Sequence, residues 1–276
     1  MLGDIAVPLH RFEADFLRPQ SLEKVIGKTR PRAVVNCAAW TAVDAAEESP
    51  RDCHCVNADA VFHIAKACNA IEATLVQVST DYVFGGNAER VDPYTETDAP
   101  CPANHYGVTK LAGEKAAATA QQHLITRTCG LYSPHEGLPV RGRNFADTML
   151  VLSKSNNDIR VVNDQQCTPS YVAHVATGIL ELLAKEAHGI YHVVNKGSTN
   201  WHSFASELFG QAGIAVKPKG IPSYGYPTVA PRPRFSVLGT KKFASSTGHH
   251  LPHWRSGISA YIEMMQAAST QKERCA

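Results

Sequence analysis

The chain has 276 residues, 44% of them hydrophobic, and a formal net charge of +2. That length can bury one large core or two small ones, and the near-neutral balance excludes binding to nucleic acid or an anionic membrane through charge alone. Mean hydropathy is ordinary at −0.19, no window approaches the roughly 18 apolar residues of a membrane span, and residues 1–11 lack the apolar run of a leader.

In chain order, helical spacing predicts a helix over residues 19–28 and a buried strand over 33–38 (AVVNCA). A helix over 50–70 and a strand over 74–80 (TLVQVST) follow. Gly85, Gly86, Asn87 and the Asp92-Pro93 pair mark a surface loop before a helix over 104–121. Then come a strand at 123–128, a helix at 144–153, a strand at 159–163, a helix at 171–187 and a strand at 189–195. Helices at 201–212 and 254–267 close the chain. The stretch 213–239 carries Pro218, Pro222, Pro227, Pro231 and Pro233 and reads as irregular. Strand–helix alternation argues for an α/β fold, a Rossmann-like doubly wound parallel sheet with its ligand crevice at the carboxyl ends of the strands. A smaller, discontinuous C-terminal part is expected to bind substrate. The boundaries expected are 1–130 with 168–197 for the dinucleotide-binding part, and 131–167 with 198–276 for the substrate part.

The eight cysteines follow no disulfide framework and read as reduced thiols, so a cytoplasmic location is expected. Cys53, His54 and Cys55 fall in a helix, where i and i+2 point apart, which argues against a metal. His249, His250 and His253 read as a solvated turn beside Pro252. No metal is expected at either place. Gly27-Lys28-Thr29 imitates the end of a phosphate loop, but Leu22 stands where that loop needs its upstream glycine.

The sharpest chemical signal is Tyr106 and Lys110, one helical turn apart, after a strand ending Ser79-Thr80-Asp81-Tyr82. A free phenol titrates near ~10. A lysine ammonium one turn away is expected to bring it toward working range, and Thr80 can orient a substrate oxygen. The alternative is a Tyr and a Lys on a solvated helix face. The earlier strand runs into Ala38, Ala39, Trp40 and Thr41, where the small residues would let a flat cofactor approach the backbone. Asn57 reads equally well as a catalytic residue or as a structural bond to a neighbouring backbone.

With these motifs the chain resembles the extended short-chain dehydrogenases/reductases. Within them it is similar to the dTDP-4-dehydrorhamnose reductases. The resemblance rests on VVNCAAWTAVDAAEESP from Val34, STDYVF from Ser79, YGVTKLAGEKA from Tyr106, NFADTML from Asn144, VVNDQQCTPS from Val161, TNWHSFA from Thr199 and YPTVAPRPRFSVL from Tyr226. It implies NADPH- or NADH-dependent reduction of a 4-keto deoxysugar carried on a nucleotide. It implies that Thr80, Tyr106 and Lys110 are catalytic, with Tyr106 the proton donor and Lys110 also a ribose ligand. Asp15 and Phe16 would flank the adenine, Ala39, Trp40 and Thr41 the middle of the cofactor, and Val78 the nicotinamide. Thr80 and Asp81 would touch the sugar, and Arg232 suits a diphosphate. Without the resemblance, Asp15 and Phe16 read as a strand-end acid and a core aromatic, and Arg232 as a solvated loop arginine. The resemblance allows a homodimer and implies no nucleic-acid or membrane partner.

Three departures stand out. The strand and glycine-rich turn that cradle a pyrophosphate are missing before Asp15, so weak dinucleotide binding is expected. Gly130 stands where relatives carry a tryptophan against the sugar, which leaves the sugar open. The loop between Thr80 and Tyr106 is about two residues longer than usual. The rival reading is a non-catalytic binding protein of the same fold, similar to the regulatory beta subunit of methionine adenosyltransferase, or a cofactor-deficient reductase. Epimerases and dehydratases fit less well, because Tyr82 rather than a glutamate follows Asp81.

Overall fold

The computed structural model describes residues 6–134, 144–155 and 158–275. Residues 1–5 of the leader reading at 1–11, and part of the 131–167 segment, lie outside the described residues. In chain order the elements are α1 (Gln20–Thr29), β1 (Ala33–Asn36), α2 (Val43–Glu48), α3 (Pro50–His54), a π-helical turn (Cys55–Asp59), α4 (Ala60–Ile71), β2 (Thr74–Thr80), α5 (His105–Ala117), β3 (His123–Thr128) and β4 (Leu131–Tyr132). They continue with α6 (Phe145–Leu152), β5 (Arg160–Val162), β6 (Gln166–Cys167), β7 (Ser170–Tyr171), α7 (Val172–Ala184), β8 (Gly189–His192), β9 (Thr199–Asn200), α8 (Trp201–Gln211), β10 (Lys219–Ile221), α9 (Lys241–Thr247) and α10 (Trp254–Cys275).

The main sheet has the order β1-β2-β3-β8, and every pair in it is parallel. Side chains alternate across a strand. Leu75 and Ile125 therefore face a core built with α1 and α4, while Val76 and Leu124 face one built with α7, α9 and Leu251. Apolar residues on both faces require helices on both faces, as the alternation predicts. A separate aromatic cluster joins α6, α8 and α10 through Tyr132, Phe204, Phe209, Trp254 and Tyr261.

The expected strand at 159–163 forms, shorter, but outside the main sheet: β5 pairs with β10. The expected strand at 33–38 stops at Asn36. There the Asn36 side chain accepts the Ala38 N–H at 3.1 Å and turns the chain. The helix expected over 50–70 is interrupted by the π turn. Phe243 and Leu251, placed by sequence in the substrate part, pack against the sheet instead. No helix among the described residues is long and apolar enough to cross a membrane.

Candidate active site

Strand β2 ends at the carboxyl edge of the sheet, where Thr80 pairs in register with Thr128 of β3. The Thr80 hydroxyl accepts the Tyr82 N–H at 3.1 Å and so caps a short 3-10 turn, Asp81–Val83. Helix α5 begins on Asn104, whose side-chain oxygen accepts the Gly107 N–H at 2.9 Å. A Cβ at Gly107 would collide with the Tyr82 carbonyl oxygen and press on Pro102, so only glycine lets the first turn of α5 reach the end of β2. That approach brings Tyr106 beside Thr80, whose hydroxyl also donates to Asp81 Oδ1 at 3.2 Å. One turn on, Lys110 Nζ donates to the Val78 carbonyl oxygen at 2.8 Å. The three residues paired by sequence spacing thus meet at one place, all nearly buried.

The electrostatics differ from the sequence expectation. Burial pushes the Tyr106 phenol above its ordinary value; the neighbouring Thr80 hydroxyl opposes this and the Asp81 charge adds to it. The Lys110 ammonium is engaged with the Val78 carbonyl oxygen, and burial outweighs any help it gives the phenolate. Burial lowers Lys110 itself to about 8, with Glu114 pulling it back up. A phenol kept protonated still suits a donor, because an alkoxide forming beside it is a stronger base than a phenolate.

The other expected site residues divide. Trp40 packs beside Tyr106 with Val43, Ala46, Cys53 and Tyr82, and its indole N–H donates to the Ala42 carbonyl at 3.2 Å. Ala39 is half-buried and Thr41 exposed, so the chain after β1 presents backbone rather than bulk. Val78 is half-buried at the same edge. Asp15 lies apart from the triad in the turn before α1, accepting the Leu17 N–H at 3.0 Å. Phe16 packs against the core under α1 and α4. Phe16 thus packs as the core aromatic of its plainer reading, whereas Asp15 ends a turn and not a strand.

Asp81 is 3% exposed and points inward rather than toward open space. Its carboxylate accepts from Ser236 Oγ at 2.5 Å and from the Cys129 thiol at 3.1 Å. Burial pushes its carboxyl above the usual range against those bonds. Arg232 is no solvated loop arginine: it donates to Asp44 at 2.8 Å and to the Ala230 carbonyl at 3.0 Å. Burial would raise Asp44, but the Ala230 N–H and Arg232 outweigh it and hold its carboxyl low. Asn104 adds a bond to the Pro231 carbonyl at 2.8 Å. The proline-rich segment is thus tied across α2 and the start of α5, over the catalytic edge.

Asn57 resolves toward positioning. Its side chain accepts the Trp40 N–H at 2.8 Å and donates to the Trp40 carbonyl at 3.2 Å, so it fixes the loop after β1 from both sides. It sits in the π turn, a geometry that re-aims a side chain within a helix. At Gly130 the backbone is left-handed, φ +50°, and a Cβ would lie 2.8 Å from the Trp201 ring. Trp201 therefore occupies the space beside the end of β3. Among the described residues no group of three or more His, Cys, Asp or Glu could hold a metal ion.

A nicotinamide cofactor fits this edge at its ribose–nicotinamide end. Lys110 offers an ammonium, Val78 a half-buried apolar face, and residues 37–39 an accessible backbone.

A family model described as the RmlD substrate binding domain matches residues 3–267. The chain belongs to the RmlD family. It is 40% identical over 272 residues to a dTDP-4-dehydrorhamnose reductase of Shigella flexneri, covering 94% of this chain and 88% of that protein. The enzyme of that name from Salmonella typhimurium is also 40% identical, over 96% of this chain and 91% of its own length. Among solved structures, the Bacillus anthracis dTDP-4-dehydrorhamnose reductase in complex with NADP superposes with a TM-score of 0.88 at 32% identity, covering 94% of this chain and 89% of that one. The Clostridium acetobutylicum ortholog gives 0.89 at 33%, over 96% and 93%. The RmlD fold of these structures is the Rossmann-like architecture read from the alternation.

Proposed function

We propose that this chain reduces the 4-keto group of dTDP-4-dehydro-L-rhamnose, giving dTDP-L-rhamnose, with NADPH in preference to NADH. The observation that carries the reading is the meeting of Thr80, Tyr106 and Lys110 at one strand end. The reductase names of relatives at 40% identity support the substrate, and the NADP complex of a 32% identical structure supports the cofactor.

Thr80 holds the sugar ketone oxygen against the Tyr106 hydroxyl. Lys110 leaves the Val78 carbonyl to bond the cofactor ribose, and Val78 lies against the nicotinamide ring. Ala39, Trp40 and Thr41 flank the middle of the dinucleotide. When bound, the reduced nicotinamide supplies the hydride for sugar C4. Tyr106 gives its proton to the oxygen as negative charge develops there, which is worth about 100- to 10,000-fold in rate. Arg232 lies on the segment facing the nucleotide, where it exchanges Asp44 for a phosphate oxygen. The sheet with its helices forms the cofactor part, and the aromatic cluster of α6, α8 and α10 the core of the substrate part. A cytoplasmic location fits a nucleotide-sugar substrate and unpaired thiols.

A binding-only role is not favoured, because the relatives at 40% identity are named as reductases, while the Tyr–Lys helix is shared with the binding-only alternative. The test is direct. The purified chain, NADPH and dTDP-4-dehydro-L-rhamnose should consume the reduced nicotinamide with stoichiometric formation of dTDP-L-rhamnose. Binding of the nucleotide sugar without oxidation of NADPH would overturn the reading in favour of the regulatory alternative.

A further inference from the structure

Three consecutive residues of β2 grip three successive turns of α5. Thr80 lies beside Tyr106, the Val78 carbonyl receives Lys110, and Ser79 Oγ donates to Glu114 Oε1 at 2.6 Å. The first two contacts serve the chemistry above; the third has no part in it. Glu114 is 3% exposed and Lys110 4%, and i to i+4 spacing puts them on one face of the helix. Glu114 is held from β3 as well. Arg127 Nε donates to Oε1 at 2.9 Å and Nη2 to Oε2 at 2.8 Å. Arg127 is itself 1% exposed, with its guanidinium 5.0 Å above the Phe84 ring. A buried ion pair is a weak source of stability, because desolvation offsets most of its attraction.

The surroundings of Lys110 give this carboxylate a task. The groups whose negative charge favours the ammonium are Glu114 on α5, Cys37 after β1 and Cys53 on α3. Burial raises both thiols, and Tyr106 one turn earlier is raised too, so all three are neutral near pH 7. Glu114 is the carboxylate of that set, paired with Arg127 behind it at 2.8 Å.

We propose that Glu114 is a positioning residue for the reduction: clamped by Ser79 and Arg127, it keeps the Lys110 ammonium charged and seated at the end of β2. The proposal rests on the function above only in that Lys110 serves the reaction.

The test reads Lys110 directly. Lysine labelled with 13C at Cε in the full chain is titrated by NMR, with Lys110→Arg used to assign the signal. In Glu114→Gln the Lys110 midpoint should fall from about 8 by about one pH unit or more, as expected for losing a buried charge one turn away. Glu114→Asp, which keeps the charge, should restore most of the shift. If Glu114→Gln alone does not fold, the double variant Glu114→Gln/Arg127→Met removes both charges and should move the midpoint the same way by less. A folded variant without the carboxylate and with an unmoved Lys110 midpoint overturns the proposal. In the active enzyme the alkaline limb of the kcat profile should move down with the NMR midpoint. A shifted midpoint in a chain that reduces no ketosugar would sink the proposed function and leave standing only the hold of Glu114 on the Lys110 charge.

Discussion

Asn57→Ala should loosen the cofactor edge without touching the reacting groups. The Asn57 amide is 1% exposed and holds both backbone polar groups of Trp40, at 2.8 and 3.2 Å. A buried backbone group left without its partner costs about 1–3 kcal/mol, less where water reaches it. Trp40 is half-buried, so its two groups together should cost about 2–3 kcal/mol. Thr109 loses its bond from Asn57 at 3.0 Å but keeps its own donation to the Tyr106 carbonyl at 2.8 Å, and adds little. The summed loss, about 3 kcal/mol, corresponds to a fall in Tm of roughly 6–10 °C in a chain of this size. The freed loop must then be ordered by the cofactor itself. NADPH affinity should drop about tenfold, equivalent to about 1.4 kcal/mol, with kcat at saturation nearly unchanged. Calorimetry and fluorescence titration of NADPH measure the two effects. A variant that melts with wild-type and binds NADPH equally well refutes the view that Asn57 sets this loop.

Gly130→Ala places a Cβ 2.8 Å from the Trp201 ring in a left-handed backbone. Strain and overlap together should cost about 2–3 kcal/mol in urea unfolding, and an unshifted midpoint would contradict that geometry. Asp44→Ala releases both Arg232 and the Ala230 N–H, bonded at 2.8 and 2.9 Å. Asp44 is 44% exposed on its side chain, so stability should fall by only about 1 kcal/mol. Arg232 then takes a phosphate oxygen without first leaving Asp44, so the KM for the nucleotide sugar should fall several-fold; an unchanged or raised KM would count against that exchange. His192 is driven down to about 3, first by burial and then by the Arg127 charge. A depressed folded value leaves its contribution to stability intact above the unfolded value, near ~6.5, and erodes it as pH falls. Between pH 7 and pH 5 unfolding free energy should drop by about 2 kcal/mol from this residue alone. His192→Gln should lack that drop in equilibrium unfolding, and an equal slope in the variant would argue against it.

The sheet was legible because β2 and β3 carry apolar residues toward both faces, a pattern that a half-exposed strand does not show. Tyr106 and Lys110 were legible because helical geometry turns their spacing into proximity. Thr80 was legible from its strand end. What local pattern does not carry is the choice of distant partner. Glu114 gains its meaning from Ser79, 35 positions away, and Arg232 from Asp44, 188 positions away. The strand at 159–163 looked like its neighbours, yet it pairs with β10, because sheet membership is set by which strands flank it. The acidified phenol was wrong for an electrostatic reason: burial of both groups, and the engagement of Lys110 by Val78, outweigh their nearness along the helix. Phe16 read as an adenine contact only through the resemblance, while its packing under α4 is what its apolar ring alone would predict.

The central claim is that Tyr106 hands its proton to a ketone held by Thr80. Single-turnover oxidation of NADPH by dTDP-4-dehydro-L-rhamnose, compared between wild type and Tyr106→Phe with nucleotide-sugar affinity measured in parallel, tests it most directly. The account predicts a rate lower by about 100-fold or more with affinity preserved. A Tyr106→Phe enzyme that reduces the sugar at the wild-type rate would contradict it.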